Sequence, residues 1–234
     1  MAKYLIINAD DFGYAHGVNR GIVVAYLRGV VSSTSLMVDA RAAEEVRSVA
    51  QEHPKLGVGL HFVAVQHGVP LFDLNDVVKV EQELNRQYQR CCELIGRFPT
   101  HLDSHEHIHF RYTHLEPVFR MWAAEQHLPL RKSGQVRFEG GFYGERYDDK
   151  WGAFPAPELI SIEAFERILR SLPEGVTELA CHPGYVTPDL DSSYVAEREL
   201  ELATLLNPRV PALFREFGVS LINFATLPKG NQGL

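Results

Sequence analysis

The chain has 234 residues, a length that suits one large domain and that α/β barrels often have. Its composition, 45% hydrophobic and 23% charged, is that of an ordinary globular protein with a sizeable core. The net charge of −7 argues against general binding to nucleic acid, and no apolar stretch approaches the ~20 residues of a membrane-spanning helix. Cys91, Cys92 and Cys181 are too few for a disulfide framework, so we expect a reducing, cytoplasmic compartment.

Short apolar runs alternate with amphipathic segments along the whole chain. The predicted strands are, in chain order, Tyr4–Ala9, Ser33–Val38, Gly57–Phe62, Thr100–Asp103, Leu128–Arg131, Thr177–Cys181 and Val219–Asn223. The predicted helices, with apolar residues at helical spacing, are Val18–Arg28, Val77–Ile95, Leu115–His127, Ser161–Ser171, Tyr194–Leu206 and Ala212–Phe217. Alternation of this kind favours parallel strands joined by right-handed crossovers. We therefore expect a single domain over residues 1–234, an α/β protein with a seven-stranded, TIM-like (β/α) barrel.

Polar residues follow four of the predicted strands at their C-terminal ends. These are the pair Asp10 and Asp11, then His61, the segment His101–His109, and His182. In (β/α) barrels the chemistry lies at this end of the strands. We therefore expect the four segments to meet in one site.

Asp10 and Asp11 are two adjacent carboxylates at the end of an apolar strand, where burial alone would not favour them. One carboxylate could bind a cation while the other holds or removes a proton. The alternative is a structural role, in which one of them caps the following helix or shapes the turn at Phe12 and Gly13.

The segment His101–His109 holds four of the eleven histidines of the chain. Neutral imidazole is the commonest metal ligand in proteins. In an extended backbone Asp103, His105, His107 and His109 would point to one side. His105 and His107 could chelate one metal together, or His105 could bind alone while the others orient it or contact a substrate. A solvated polar loop is the structural alternative, and the spacing does not decide between these interpretations.

Two single histidines complete the set. His61 follows a strand whose glycines, Gly57 and Gly59, allow close approach of neighbouring backbone. His182 is held between a strand and the Pro183-Gly184 pair, where it could protonate a leaving group. Each could instead be a structural histidine, His61 at a strand end and His182 in an exposed turn.

Four segments together carry a family likeness: Asn8–Gly13, Gly59–Phe62, Pro99–His109 and Leu179–Pro183. In this order they resemble the YdjC-like carbohydrate deacetylases, the chito-oligosaccharide deacetylase family. The resemblance implies a barrel related to those of the polysaccharide deacetylases. It also implies a hydrolase of non-peptide carbon–nitrogen bonds that removes the acetyl group of N-acetylglucosamine-type sugars or short chito-oligosaccharides.

The resemblance also implies roles for individual residues. Asp11, His61 and His105 match the metal ligands, Asp10 matches the catalytic base, and His182 matches the general acid. The cofactor would be one divalent ion. Two histidines and one carboxylate favour zinc by ligand chemistry, whereas family members have been described with magnesium, so the metal stays open between the two.

Further residues are expected to contact the substrate. They are Asp103, His107, His109, Tyr143 and Trp151. The two aromatic residues lie in the segment 140–157, which we expect to be a long functional loop because it is rich in glycine, proline and aromatic residues. Their rings could stack on sugar faces or simply anchor the loop. The expected partner is a small N-acetylated sugar, and a homodimer is an open alternative to a monomer.

Two other functions fit the same residues. The first is a metal-dependent phosphoesterase or another small-molecule hydrolase on the same barrel. Against it, the four segments are flanked closely by no arginine or lysine except Arg111, and no phosphate-cradling glycine-rich loop is present. The second is a non-catalytic module that binds a metal or a sugar, which would not need Asp10 as a base beside the metal carboxylate.

Overall fold

A computed structural model describes residues 2–134, 136–150 and 152–228. Its strands, in chain order, are β1 (Lys3–Phe12), β2 (Ser33–Leu36), β3 (Gly57–Phe62), β4 (Val65–Gln66), β5 (Val69–Pro70), β6 (Leu102–Ser104), β7 (Val136–Glu139), β8 (Glu145–Asp148), β9 (Gly152–Pro155), β10 (Gly175–Cys181) and β11 (Val219–Leu221). Its α-helices are α1 (His16–Arg28), α2 (Val46–Glu52), α3 (Val77–Ile95), α4 (Ile108–Arg111), α5 (Glu116–Glu125), α6 (Ile162–Ser171), α7 (Ala196–Leu205) and α8 (Val210–Phe217).

The main sheet is parallel and curled, with the strand order β6-β3-β2-β1-β10-β7, and β11 pairs with the first residues of β1. The expected α/β class and parallel pairing are confirmed. The expected closed seven-stranded barrel is not what the described residues form, because their ladders leave β6 and β7 unpaired with each other. The architecture is a half-barrel with six strands along its path.

The predicted strand Leu128–Arg131 marks the place where closure fails. Only Leu130 pairs there, through one parallel bridge to Leu102 at the free edge of β6. Two residues in the left-handed region, His127 at φ 55° and Lys132 at φ 58°, turn the chain at either end of this segment. A segment bounded by two such turns is too short to form a ladder.

The longest helix follows its predicted bounds because both of its ends are encoded locally. The Asp76 side chain accepts a hydrogen bond from the Lys79 amide at the first turn of α3. Gly96 ends the helix in the left-handed conformation, at φ 69°. The described part of the chain has no helix with both the length and the apolar character required to cross a membrane.

The two faces of β1 have different surroundings. One face contributes to the large apolar core under the helices, through Leu5, Ile7 and Ala9. Ile6 belongs to a smaller apolar cluster, whose other members are Val136, Val176, Phe224 and Leu227. Because alternate residues of a strand face opposite sides, Asn8 and Asp10 lie on the same face as Ile6. The inner face of the half-barrel therefore changes from apolar to polar toward the C-terminal ends of the strands.

Candidate active site

Asp10 and Asp11 diverge because β1 is irregular at this point. Its pairing with β2 shifts register between Ala9 and Phe12, and Asp11 has a φ of 67° in the left-handed region. Such a backbone is unfavourable for a residue other than glycine and is typical of bulges beside functional sites. The irregularity sends the two carboxylates to different partners.

Asp11 meets two histidines from neighbouring segments. Its Oδ1 lies 3.4 Å from Nε2 of His61, at the end of β3, and 3.4 Å from Nδ1 of His105, just after β6. The rings of His61 and His105 meet edge to face, with centroids 5.5 Å apart. Burial would raise the pKa of Asp11, but the charge of Arg198 and the contacts with the two histidines hold it well below its usual value.

The donor set fits a divalent cation. Ligand atoms of Asp11, His61 and His105 all lie within 4.8 Å of one another, and Oδ1 of Asp11 is buried without a hydrogen-bond partner. A buried carboxylate oxygen is costly to leave unpaired, so the site favours a positive charge between these three side chains. Ser35 and Asp103 contact the remaining nitrogen of His61, with Asp103 Oδ1 at 2.6 Å. This is the usual second contact of a metal-binding histidine.

Asp10 belongs to a buried cluster of carboxylates around Arg131. The guanidinium of Arg131 donates to both oxygens of Asp10, each at 2.7 Å, and contacts Asp103 at 2.8 Å and Glu178 at 2.7 Å. Asn8 also donates to Asp10 at 2.8 Å. All five side chains are buried. One cation thus neutralises only part of the charge of three carboxylates.

The pKa values in this cluster follow from that imbalance. Burial would raise the pKa of Asp10, yet the guanidinium of Arg131 outweighs it and keeps the pKa below the usual value. Glu178 keeps one oxygen without a partner, and burial raises its pKa to about 7 despite the contact with Arg131. Burial would lower the pKa of His61, but Asp103, Asp11 and Asp10 raise it to about 10. A metal ion bound by His61 would compete with a proton for its ring nitrogen.

His182 stands on the other side of Asp10, with Nε2 3.9 Å from Oδ2 of that residue. Glu201 on α7 accepts a hydrogen bond from the His182 backbone amide, and its Oε1 lies 3.8 Å from Nδ1 of the ring. Tyr194 donates to the same carboxylate. Burial would lower the pKa of His182, but Glu201, Asp10 and Asp11 together raise it above its usual value.

The histidine-rich segment does not continue as a strand. β6 ends at Ser104, and a short 3-10 turn then leads into α4, with Glu106 at φ 51° and His107 at φ 54°. The expectation that residues 103, 105, 107 and 109 share one side is therefore wrong, because the backbone is extended only as far as Ser104. The turn separates His105, which faces Asp11, from His107.

The other histidines of the segment have separate surroundings. His107 lines a cavity that Asp10 and Asp11 also line. His109 instead contacts the Ser104 hydroxyl at 2.6 Å and the carbonyl of Arg131 at 3.2 Å. Burial, reinforced by the charge of Arg131, lowers the pKa of His107 to about 3 and that of His109 to about 4. His101 is buried and stacks on Phe224, with ring centroids 3.9 Å apart. None of these three rings touches Oδ1 of Asp11 within 4 Å.

The glycines of β3 allow one of these histidines to approach. A Cβ atom on Gly59 would lie 2.4 Å from the ring of His101. Only glycine fits there, and the close neighbour is a side chain rather than the backbone that the strand's glycines predicted.

A cavity of about 840 Å³ opens above the charged cluster. Asp10, Asp11, His61, His105 and His182 all line it. The two short hairpins of the fold, β4–β5 and β8–β9, border it through His67 and Tyr147. The four segments at the strand ends thus converge on one space.

The residues expected to contact a substrate are distributed unequally around this cavity. Tyr143 lines it, stacks on Tyr194 at a centroid distance of 4.5 Å, and lies 5.3 Å from the ring of His182. Asp103 and His109 are buried behind the site, at 0% and 2% exposure, and contact its side chains instead. Trp151 lies outside the described residues. The segment 140–157 that carries both aromatics contains the β8–β9 hairpin.

Comparison with known proteins identifies the family. A family model described as YdjC-like protein matches residues 4–216. The chain is 35% identical to a carbohydrate deacetylase from Geobacillus stearothermophilus, over 96% of this chain and 98% of that protein. It is 33% identical to a chitooligosaccharide deacetylase from Serratia marcescens, over 97% of this chain and 100% of that protein. The chain belongs to the YdjC-like family. The resemblance seen in the four sequence segments is confirmed, and the names of these relatives agree with the expected class of enzyme.

Solved structures agree with the fold. A protein from Enterococcus faecalis V583 named for cellobiose-phosphate cleavage is 26% identical, with a TM-score of 0.77 over 96% of this chain and 98% of that one. A family 4 carbohydrate esterase from Streptomyces lividans, in complex with acetate, is 15% identical, with a TM-score of 0.55 over 94% and 91%. The second likeness shows a shared fold alone.

Four charged residues of the site were not among the predicted ones: Arg131, Glu178, Arg198 and Glu201. Arg131 ends the predicted strand Leu128–Arg131, so its position at a strand end was a usable signal. Arg198 and Glu201 lie three residues apart in the helix predicted over Tyr194–Leu206, where charged residues are normally exposed, but both are buried here. Arg111 is the residue of positive charge that flanks the four segments in the sequence, but Arg131 and Arg198 reach the site from elsewhere in the chain.

Proposed function

We propose that this protein hydrolyses the N-acetyl amide of N-acetylglucosamine-type sugars or short chito-oligosaccharides and releases acetate. The observation that carries the proposal is the unpartnered Oδ1 of Asp11 between His61 and His105, at the base of a cavity also lined by Asp10 and His182. A cation site, a carboxylate and a histidine of raised pKa are what metal-assisted amide hydrolysis requires. The deacetylase names of the close relatives support the same reaction.

Asp11, His61 and His105 would hold the metal. Bound there, a divalent cation would supply Lewis-acid polarisation of an amide carbonyl and a lowered pKa for a water molecule. Two imidazole nitrogens and one carboxylate oxygen favour zinc or another transition metal over magnesium, which prefers oxygen ligands. Metal analysis of the purified protein tests this preference.

Asp10 and His182 divide the proton transfers. Asp10 is held ionised by Arg131 and accepts a proton from the attacking water. His182, kept protonated by Glu201 and its other acidic neighbours, donates a proton to the amide nitrogen as the carbon–nitrogen bond breaks. An amine is a far better leaving group than an amide anion, so this second transfer is essential. The products are acetate and the free amino sugar.

The cavity suits a small sugar. Its volume of about 840 Å³ falls in the range of small-molecule sites. Tyr143 offers a ring held by its stack on Tyr194, and aromatic rings are suited to the apolar faces of sugars. The neutral His107 lines the same cavity with its Nδ1 unpartnered inside the protein, and we assign it to the hydrogen-bonding of a sugar hydroxyl. Asp103 and His109 would act by holding His61 and the segment around Ser104.

The phosphoesterase alternative is less well supported. Two arginines line the cavity, and both contact carboxylates: Arg111 contacts Glu106 at 3.4 Å, and Arg198 contacts Asp11 at 2.7 Å. A phosphate group entering the cavity would have to compete with these carboxylates and with Asp10. An uncharged acetamide meets no such repulsion.

The test is a comparison of acetate and phosphate release. The purified protein is incubated with N-acetylglucosamine, diacetylchitobiose, triacetylchitotriose and a matched set of sugar phosphates, and products are identified by mass spectrometry. We expect acetate from at least one N-acetyl sugar, loss of this activity with a chelator, and its return with zinc, cobalt or magnesium. His61→Ala should be inactive, while His53→Ala, at the end of α2, serves as the matched control. Phosphate release without acetate release would refute the proposal.

A further inference from the structure

Arg198 contacts the metal-binding carboxylate from the side opposite the two histidines. Its Nη2 lies 2.7 Å from Oδ2 of Asp11, while Oδ1 of the same carboxylate lies 3.4 Å from the nitrogens of His61 and His105. The arginine is 2% exposed and the aspartate 3%. One oxygen of Asp11 is thus paired with a fixed cation, and the other is the free one.

The guanidinium is held in this position from several directions. Its Nε donates to the carbonyl of Tyr194 at 3.1 Å, and its central carbon lies 5.9 Å from the ring centre of Tyr14 and 5.8 Å from that of Tyr194. The backbone carbonyl of Arg198 accepts from the Gly184 amide at 3.2 Å, which ties α7 to the loop after His182. The second terminal nitrogen, Nη1, is buried without a partner. The contact with Asp11 is therefore the principal polar contact of the terminal nitrogens.

An arginine beside a metal carboxylate opposes metal binding. A positive charge a few ångströms from a divalent cation repels it, and the repulsion is strong in a buried site. The same charge withdraws electron density from the carboxylate, so that the ligand donates less to the metal. A site built only for tight binding would place a neutral hydrogen-bond donor at Oδ2 instead.

We propose that Arg198 is a positioning residue that restricts Asp11 to one ligand oxygen and offsets its charge, so that affinity for the cation is lowered in favour of reactivity. The inference rests on the proposed function, since it concerns the same metal site. Helix α7 then contributes two residues to the site, Arg198 beside Asp11 and Glu201 beside His182. A simple structural counter-ion would have the opposite effect on metal affinity, because its loss would loosen the site.

The experiment measures Co²⁺ binding separately from activity. Arg198→Gln removes the charge, Arg198→Met removes the charge with a different shape, and Arg198→Lys keeps the charge. The control for overall charge is Arg209→Gln. Arg209 is an exposed residue just before α8 and pairs with Glu163 and Glu166. Dissociation constants come from competition with a coloured chelator, and visible absorption of bound Co²⁺ reports the ligand set.

We expect the two neutral variants to bind Co²⁺ about tenfold more tightly than the wild type while kcat falls. Arg198→Lys and Arg209→Gln should bind within about threefold of the wild type. The Co²⁺ spectrum should change in the neutral variants, because Oδ2 becomes available as a ligand. Equal or weaker Co²⁺ binding in both neutral variants would overturn the inference. Their failure to fold even with Co²⁺ present would also overturn it, since Arg198 would then be structural.

The proposed function and the role of Arg198 are tested by separate measurements. Wild-type acetate release decides the reaction, and the ratio of Co²⁺ dissociation constants decides the role of Arg198. A wild type that binds Co²⁺ but releases no acetate would refute the reaction alone.

Discussion

At the scale of single residues, Arg131 is the cation that contacts three buried carboxylates of the site. Burying three carboxylates would cost several kcal/mol each without a partner, and one guanidinium with five donors serves all three. Its two parallel hydrogen bonds to Asp10 fix the orientation of that carboxylate as well as its charge. Arg131 keeps the pKa of Asp10 below its usual value, so if Asp10 is the general base that we propose, its effectiveness comes from its position rather than from a high pKa.

Asp10→Asn tests this base directly. The amide keeps the size of the side chain but cannot accept a proton from water, so we expect acetate release to fall by ~10²–10⁴-fold. Metal content should stay the same, because both oxygens of Asp10 accept hydrogen bonds from Arg131, whereas Asp11, His61 and His105 form the proposed cation site. The measurement is kcat together with metal analysis, with the exposed Asp149→Asn as control. Full activity in Asp10→Asn would remove Asp10 from the mechanism.

Glu201→Gln tests the proton on His182. The neighbouring carboxylates raise the pKa of His182 above 6.5 against the effect of burial, and Glu201 makes the largest of these contributions. In the variant this pKa falls, so the protonated acid is lost at lower pH. We expect the alkaline limb of kcat/KM to move down by on the order of one pH unit. An unchanged alkaline limb would show that Glu201 does not control the acid. The exposed Glu216→Gln on α8 is the matched control.

At the scale of elements, the site depends on two irregular pieces of backbone. The bulge in β1 separates the roles of Asp10 and Asp11, and the left-handed turn at Glu106 and His107 ends the line of β6. Both conformations are unfavourable for these residue types and persist only because their surroundings hold them. The regular strands bring the segments together, and the irregular residues aim the side chains.

Regular elements are encoded by local sequence signals, whereas irregular backbone and long-range contacts are not. β3 and α3 follow their predicted bounds because period and end signals are local, as with Gly96 after α3. The structure brings Asp11, His61 and His105 together, and their role as metal ligands stays a prediction from the resemblance, since spacing alone could not choose between His105 and His107. The pairing of Arg131 with Asp10 spans 121 residues, and no local pattern encodes such a contact. The turn after Ser104 contains no glycine or proline, so its irregularity left no signal.

The N-terminal cap of α3 provides a test at this scale. Asp76→Ala removes the acceptor for the Lys79 amide and should lower the free energy of unfolding by about 1 kcal/mol. Asp76→Asn keeps an acceptor oxygen and should stay close to the wild type. Urea denaturation measures both, as a change in midpoint at constant slope. Equal midpoints for Ala and wild type would mean that packing of the helix, rather than its cap, determines its stability.

At the scale of the whole molecule, the half-barrel directs polar residues of separate strands toward one end of its inner face. β1 contributes Asp10, β6 contributes Asp103 and β10 contributes Glu178, while Ile6 and its neighbours fill the other end. The apolar cluster supports the sheet where no chemistry takes place. The opposite end concentrates negative charge, which attracts a cation but opposes folding.

Glu178→Gln should reveal this cost as a pH dependence of stability. The folded-state pKa of Glu178 is raised from 4.5 to about 7, so the native state holds this proton more tightly than the unfolded chain does. The contribution of Glu178 to stability is therefore complete below pH 4.5 and is lost as the pH rises toward 7. Glutamine keeps an oxygen for Arg131 but has no proton to lose.

We accordingly expect Glu178→Gln to be more stable than the wild type at pH 8 by on the order of 1–3 kcal/mol, and the gain to shrink toward zero at pH 4. Urea unfolding at a series of pH values gives the difference, with the exposed Glu174→Gln, in the turn before β10, as control. A constant difference across this range would show that Glu178 is ionised throughout in the folded state. In that case the three carboxylates would carry their full negative charge, and the attraction of the site for a cation would be correspondingly larger.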